Sequence, residues 1–472
     1  MHLKQYYLGC LAHASYIIAD ERTGIAAVVD PQRDIDQYLA DAEANGWRIQ
    51  YVFLTHFHAD FLAGHIELRN ATGAHIYLGA RAEAEYEFTP VKEGDVVEFG
   101  DVRLKILETP GHTPEGISIL VYDVRQSDVH PHAVLTGDTL FIGDVGRPDL
   151  LASIGVTANE LAEMLFGSIE KLKQLPDDTL VYPAHGAGSL CGKSLSEETV
   201  STIGEQKRYN YALQTMTKAQ FIKLVEADQP DAPDYFVYDA IRNRQERPDL
   251  DATMKQNVRP LELDDVLKMQ SRGVQVLDVR DGVDFEGSHL KGSINISLKG
   301  KYATWCGTLL NHDAPIVVIA DIGEHEEAVM RLGRIGFDNV TGYLRNGMRA
   351  LEAHPELVEI TPRITAATVG ETMQEGGQFQ ILDVRSSGER ERDGFIDGSL
   401  HIPLNQLESR MQEMLRDRPV LVHCAGGYRS VVACSLLQKH GLECSDMVGG
   451  FKAWQTLGLP VVQADRAVAN SV

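Results

Sequence analysis

Two sets of residues in this chain have the types and spacing to do chemistry. The first lies in four places of the N-terminal half: THFHAD (His56, His58, Asp60), TPGHTPEG (His112), LTGDTLF (Asp138) and VYPAHG (His185). Each follows an apolar, strand-like run, so four loops can meet at one edge of a sheet. Imidazole and carboxylate together are ligands for zinc, iron or manganese. The second set is VHCAGGYRS at 422–430, between the strand PVLV and a helix starting near Ser430. Cys424 then sits at a helix N-terminus, in a loop of inward-facing backbone N–H groups that includes Gly426 and Gly427 and is closed by Arg429. Such a cradle binds oxyanions and stabilises a thiolate, bringing cysteine pKa values down to about 3.5–7.5.

The elements that must position these groups are of α/β type. In the second half, VQVLDVRDGVDFEGSHLKGSINI at 274–296 is matched by FQILDVRSSGERERDGFIDGSLHI at 379–402. Each copy continues with an apolar strand after a proline, PIVVI and PVLVH, then a helical pattern and a glycine-containing turn. Strands alternating with helices predict a parallel sheet in each copy. The first 250 residues lack this repeat; strands such as ASYIIAD and GIAAVVDP precede His-, Asp- and Gly-rich loops and the helical TANELAEMLFGSIEKLKQL. The Pro- and Asp-rich segment at 229–251 reads as a linker, and a second boundary falls near 358–364. The expected domains are 1–250, 258–358 and 362–463.

Composition narrows the function. Net charge is −24 and the pI is near 5.1, which argues against nucleic acid as a partner. No apolar run approaches the ~18 residues needed to span a bilayer, and the N-terminus lacks a secretory pattern. The six cysteines are scattered and form no CxxC pair, so a cytoplasmic chain with reduced thiols is expected.

The four His and Asp loops resemble a metallo-β-lactamase fold, an αββα sandwich, over residues 1 to about 250. The two-metal hydrolases of that fold carry a further histidine after the HxHxD loop, and here Phe61 stands in its place. For a first metal His56, His58, His112 and Asp138 are available; for a second only Asp60, Asp138 and His185. The one-metal branch of the fold, the persulfide dioxygenases, holds iron(II) by positions matching His56, His112 and Asp138. The resemblance thus implies one Fe(II) per chain, with His58, Asp60 and His185 orienting ligands and water from outside the ligand set. TGDTLFIGDVGRPD is similar to the dioxygenase segment after the shared Asp. It offers Arg147 as a binder of an anionic thiol carrier, or alternatively as a loop residue paired with Asp144 or Asp149.

Residues 360–463, with LDVR, GSLHI, the Cys424 loop and VGGFKAW, resemble a rhodanese domain, whose cysteine carries a sulfane sulfur as a persulfide. Cysteine phosphatases have five residues between Cys and Arg, where this loop has four. The first copy places Ala320 opposite Cys424, followed by the acidic DIGEHEEA, and reads as a catalytically silent rhodanese homology domain. Cys191, in HGAGSLCGK, is a glycine-flanked thiol that could relay sulfur, or else a structural one. The whole resembles a fused persulfide dioxygenase–rhodanese: an α/β multidomain chain that uses O2 to oxidise a low-molecular-weight persulfide to sulfite. Its Cys424 would form or use thiosulfate. By the same resemblance a homo-oligomer is expected. The alternative is a zinc thioester hydrolase of the glyoxalase II type joined to a sulfurtransferase.

Overall fold

In the N-terminal part of the chain, every other residue of most strands is apolar, and the fold follows from where those residues go. The computed structural model describes residues 1–463, except 151–154, 194, 228, 230, 231, 234, 377, 378 and 416. The chain divides into two compact units, Met1–Thr253 with Met330–Asp338, and Met254–Val329 with Asn339–Val472.

The first unit contains two six-stranded sheets. One orders β1 (His2–Leu8), β2 (His13–Asp20), β3 (Ile25–Val29), β4 (Arg48–Phe53), β5 (His75–Gly79) and β6 (Thr89–Val91) consecutively. The other runs from β7 (Val96–Phe99) through β8 (Val102–Glu108), β9 (Ile117–Asp123), β10 (Ala133–Gly137) and β11 (Leu180–Pro183) to β12 (Ser201–Thr202). Tyr16, Ile18, Val29 and Phe53 meet Leu104, Ile106, Ile119 and Leu135 between the sheets. The outer face of the first sheet packs Ile17, Val28 and Val52 on Tyr38, Ala42 and Leu68 of helices Asp36–Asn45 and His65–Thr72. The outer face of the second packs Leu120, Val134 and Val181 on Leu165, Ile169 and Phe221 of helices Ala158–Leu172 and Lys218–Glu226. The layers are therefore αββα. Burying each large apolar side chain contributes about 1.5–3 kcal/mol, so the sheets themselves hold the loops at their ends in place. β4, β8, β10 and β11 lead directly into the segments bearing His56, His112, Asp138 and His185.

The segment read as a linker is not one. Residues Tyr235–Arg242 form a helix, and Asn243 behind it is fully buried. Its amide donates to the carbonyls of His58 and Phe61 at 2.8 Å each and accepts from the Ala63 N–H at 2.9 Å. Arg247 is buried on Glu67 (2.5 Å) and on the Ala63 carbonyl. Composition misled because the stretch contains a short helix and runs into another, Leu250–Asn257. Residues 228, 230, 231 and 234 of that stretch lie outside the described residues. Asn243→Ala leaves three buried backbone groups unpaired; we expect a loss of about 2–3 kcal/mol, read as a lower melting temperature with reduced metal uptake.

The second unit contains the same sheet twice. Strands Pro260–Leu261, Val340–Leu344, Ile316–Ile319, Gln275–Asp278 and Ile294–Asn295 lie in that order, all parallel. Strands Arg363–Thr365, Cys444–Val448, Val420–His423, Gln380–Asp383 and Leu400–His401 repeat it. The repeated LDVR has a physical cause. Asp278 and Asp383, both fully buried at strand ends, each accept a forked hydrogen bond from the arginine two residues on. Arg280 and Arg385 also close onto the carbonyls of Ser288 and Gly394. Register pairs Asp278 with Ile319 and Asp383 with His423, which puts Ala320 opposite Cys424, as the sequence alignment has it.

Candidate metal centre and thiol cradle

The metal-ligand candidates converge. His56, His112 and Asp138 offer three atoms within 4.8 Å of one another, as do His58, Asp60 and His185, and Asp138, His185 and Cys191. Hydrogen bonds fix the tautomers of the first pair of histidines. His56 Nδ1 lies 2.9 Å from the Thr55 hydroxyl, which itself donates to Asp30 (2.8 Å). His56 Nδ1 must then carry the hydrogen. His112 Nδ1 donates to the Arg147 carbonyl at 3.0 Å. Both rings therefore present a bare Nε2 to Asp138 Oδ2, at 3.7 and 3.4 Å, the orientation a metal ligand needs. Gly146 permits the close approach, since a Cβ there would stand 1.8 Å from the Asp138 carbonyl.

Burial sets the electrostatics. It depresses His56 and brings His112 down to about 4, so both are neutral donors. Burial pushes the Asp138 carboxyl well up and Asp60 to about 6. Both oxygens of Asp138 and one of Asp60 are buried without a hydrogen-bond donor, as are both ring nitrogens of His185. Buried carboxylates without partners are costly, and a cation among them answers that cost. A cavity of about 10 Å³, room for about one ion or water, is lined by His56, His112 and Asp138 together with Thr55, Thr109, Thr113 and Thr139. These residues fit a single metal ion.

The other three candidates sit beside it. His58 Nε2 lies 3.1 Å from Asp30, and although burial opposes its charge, Asp30 holds its pKa above the ordinary value. His185 stands between Asp138 and Asp60, a ring nitrogen 3.3 Å from each but hydrogen-bonded to neither. Phe61, 1% exposed, fills the neighbouring space, its ring 4.5 Å from that of His58 and 4.0 Å from that of His13. Three residues escaped the sequence reading. Asp30 accepts from the Thr55 N–H and hydroxyl in a left-handed backbone conformation (φ 49°) unusual for a non-glycine. His13 is buried with both ring nitrogens unpartnered, and Asn243 clamps the loop. Asp30 alone left a signal, at the end of the apolar run VVDP.

Arg147 requires a correction. Its side chain does not face an open cavity; it is 1% exposed and forks onto Asp149 at 2.7 and 2.6 Å, with Leu190 O as a third acceptor. Of the two roles read from sequence, the loop pairing is the one present. Cys191 is likewise not on an open face. It is 1% exposed beside Asp138 and His185, and burial with the charges of Asp60 and Asp138 pushes its thiol well up.

In the second unit, Cys424 follows strand Val420–His423 and is 1% exposed. The Gly427 N–H donates to its sulfur at 3.1 Å, and the Ser430 hydroxyl lies 3.6 Å away. Gly427 takes φ 118° to turn the loop into helix Tyr428–Lys439, whose N-terminus faces the sulfur; Gly426 is exposed at the rim. Arg429 is anchored in a fork on Glu389 at 2.6 and 2.7 Å, and its charge reaches Cys424. Burial opposes the charge on Glu389, but Arg429 and the Ser386 cap hold it down at about 2. A depressed carboxylate stabilises above its unfolded pKa and loses that contribution as pH falls through the folded one. Glu389→Gln should therefore cost about 1–2 kcal/mol at pH 7, discounted for solvent access. The gap in melting temperature from wild type should close as pH drops from 5 toward 2. Ala320 offers no nucleophile at the equivalent point of the first repeat, where Asp321, Glu326 and Glu327 are exposed.

Comparison with known proteins follows this geometry. Residues 8–185 match the metallo-β-lactamase superfamily, and residues 262–354 and 365–457 each match the rhodanese-like domain. A metallo-β-lactamase from Staphylococcus aureus is 33% identical, covers 72% of this chain and 98% of its own, and superposes with a TM-score of 0.65. A hydroxyacylglutathione hydrolase of Polaromonas is 31% identical over 247 residues, 47% of this chain and 89% of that protein. The chain belongs to the metallo-β-lactamase superfamily. A hydroxyacylglutathione hydrolase of Brucella ovis is 35% identical over 176 residues, 36% of this chain and 60% of its own length. This superfamily member carries two rhodanese-like domains after its metallo-β-lactamase domain. Among its described residues no helix is long and apolar enough to cross a membrane.

Proposed function

We propose that the first unit is a non-haem iron(II) persulfide dioxygenase with one iron per chain, and that the second transfers sulfur through Cys424. The observation that carries this reading is the ion-sized cavity at His56, His112 and Asp138, with Phe61 filling the space beside His58. His56, His112 and Asp138 would hold the iron, two histidines and one carboxylate being a ligand set that suits non-haem iron oxygenases. Iron held by these residues would supply the one-electron chemistry by which O2 reacts with a persulfide sulfur, chemistry that zinc lacks. In the overall reaction, a persulfide R–S–SH with one O2 and one water gives sulfite and the thiol R–SH.

The protein's part is positional. Thr55 and the Arg147 carbonyl hold the two imidazoles as Nε2 donors, and Asn243 fixes the loop between His58 and Phe61. The threonine-lined, buried wall keeps bulk water away. A sulfur relay through Cys191 would require that buried thiol, 1% exposed, to open to solvent. Cys424, in its cradle of N–H groups, would accept a sulfane sulfur as a persulfide. Attack by sulfite on the outer sulfur then releases thiosulfate and the Cys424 thiolate; the same step in reverse loads the cysteine from thiosulfate. A low-molecular-weight thiol persulfide as substrate and a cytoplasmic homo-oligomer belong to the same proposal.

One observation favours a second reading, a two-zinc thioester hydrolase: His58, Asp60 and His185 also offer ligand atoms within 4.8 Å of one another. Anaerobic purification, metal quantification and oxygen-uptake assays over several persulfides separate the two. One iron per chain with persulfide-dependent oxygen uptake is the expected result. Two zinc ions with thioester hydrolysis and no oxygen uptake would replace this proposal with the hydrolase.

A further inference from the structure

The helix that points its N-terminus at Cys424 is held along one face by the repeat that lacks a nucleophile. Tyr428, Val431, Ser435 and Gln438 of helix Tyr428–Lys439 stand three or four residues apart and so share a face. The Tyr428 hydroxyl donates to the Ser297 carbonyl at 3.0 Å. Gly282 packs against Val431, where a Cβ would stand 3.2 Å from Cγ2. The N–H of Asn295, on the edge strand Ile294–Asn295, donates to the Ser435 hydroxyl at 3.1 Å. Gln438 accepts from the Thr361 hydroxyl at 2.8 Å and donates to the Ile360 carbonyl at 2.9 Å, both in the segment joining the repeats. The fit is closest at the first of these residues: a Cβ on Gly300 would stand 2.4 Å from the Tyr428 ring.

Tyr428 directly follows Gly426 and Gly427, and beyond their chain neighbours no atom lies within 4 Å of a Cβ position at either glycine. A glycine pair gives the chain wide conformational freedom, yet this loop must hold the Gly427 N–H on the sulfur of Cys424, at 3.1 Å. On its other side the loop is tied by the N–H groups of Phe451 and Lys452, which donate to the carbonyls of Cys424 and Ala425 at 2.7 and 3.0 Å. The ring of Tyr428 is the first side chain after the glycines, and its seat belongs to the other repeat. We propose that Tyr428, seated on Ser297 and Gly300, fixes Gly426 and Gly427 so that the Gly427 N–H stays on the Cys424 sulfur. The repeat without a nucleophile thereby positions the loop of the repeat that has one. This rests on Cys424 being the sulfur-carrying thiol.

An N–H that donates to sulfur favours the thiolate over the thiol. Losing that contact therefore slows the cysteine more at low pH, where little thiolate is present, than at high pH. The charged groups around the loop stay the same when only the seat is altered. Arg429 is paired with Glu389. His423, whose Nδ1 lies 3.4 Å from the Cys424 carbonyl, is brought down to about 4 by burial, and Asp383 near it is held by Arg385. Lys452 is exposed, and Lys299 is paired with Asp281 at 3.1 Å. Glu286 and Asp446 line the same cavity as Gly427 and Tyr428, and burial raises them to about 8 and about 6. The ratio of Cys424 reactivity at low and high pH then reports the contact itself, apart from any change in access to the thiol.

The test alters the seat and leaves the cysteine repeat intact. Full-length Gly300→Ala, a change at an exposed position of the other repeat, is compared with wild type. Alkylation of Cys424 by iodoacetamide is followed from pH 6.5 to 9.5, with peptide mapping to separate it from the other cysteines. The ratio of the rate at pH 6.5 to that at pH 9.5 should fall at least about threefold, part of what a hydrogen bond to a charged group contributes. Gln438→Ala loosens the far end of the same helix and should leave the ratio within about 1.5-fold of wild type. An unchanged ratio in Gly300→Ala, or an equal fall in Gln438→Ala, overturns the proposal. If Gly300→Ala does not fold, Tyr428→Phe, which loses the bond to Ser297 and keeps the ring, should lower the ratio at least about twofold, and an unchanged ratio there overturns the proposal as well. Alkylation does not depend on turnover, so a lowered ratio in a chain without any thiosulfate chemistry would remove the sulfurtransferase reading and leave the positioning role standing.

Discussion

Cys424→Ser is expected to lower sulfur transfer between thiosulfate and a thiol acceptor by a factor on the order of 10³ or more. Metal content and persulfide-dependent oxygen uptake should be unchanged. A hydroxyl cannot form the S–S bond that carries a sulfane sulfur, and it is far less acidic than a thiol, so neither the helix N-terminus nor the Gly427 N–H can make it a nucleophile. The exchange is nearly isosteric at a site that is 1% exposed, and the fold should survive it. An oxygen electrode and a thiosulfate-dependent assay on the same preparation give the two readouts. Retention of most of the transfer activity would mean that another thiol carries the sulfur.

Asp138→Ala has the second large effect, and its sign depends on the metal. Asp138 is the carboxylate of the His56–His112 set and also touches His185 and Cys191. Its removal should reduce bound metal to below about a tenth of the wild-type amount and abolish oxygen uptake, a larger effect than the 10–100-fold that outer partners of a metal site commonly give. Without metal, however, the variant should melt at or above the wild type. Burial pushes the Asp138 carboxyl well above its ordinary pKa, and deleting an uncompensated buried acid relieves a cost. The metal-loaded wild type should melt above both, since a ligand that binds only the native state stabilises it. Melting curves with and without chelator decide this. If metal-free Asp138→Ala melts well below metal-free wild type, Asp138 holds the fold rather than a cation.

Phe61 bears on how many metal ions the first unit can hold. In the sequence it is one residue that departs from a histidine pattern; in the structure it is a buried ring packed on His58 and His13. Phe61→His in a metal titration asks whether that ring is what limits the site to one ion.

Local periodicity and spacing were sufficient for the alternating strands, the duplicated LDVR copies and the loops bearing His56, His112, Asp138 and Cys424. These features are legible because a strand end, a proline and a short polar motif act over a few residues. Ala320 opposite Cys424 followed from alignment of the copies alone, since register in a parallel sheet is set by the same strands in both. Long-range partners were not legible. Arg147 looks free in the sequence and is bound to Asp149 in the fold. Residues 229–251 have the composition of a linker, yet Asn243 reaches back 185 positions to clamp the carbonyl of His58. The roles of Asp30 and His13 depend on which elements become neighbours. A buried charge finds its partner by proximity in space, and only the packing of sheets and repeats determines that proximity. The sequence alone therefore determined which residues can hold a metal or carry sulfur; the tertiary structure decided which of them stand free to do so and which are committed to one another.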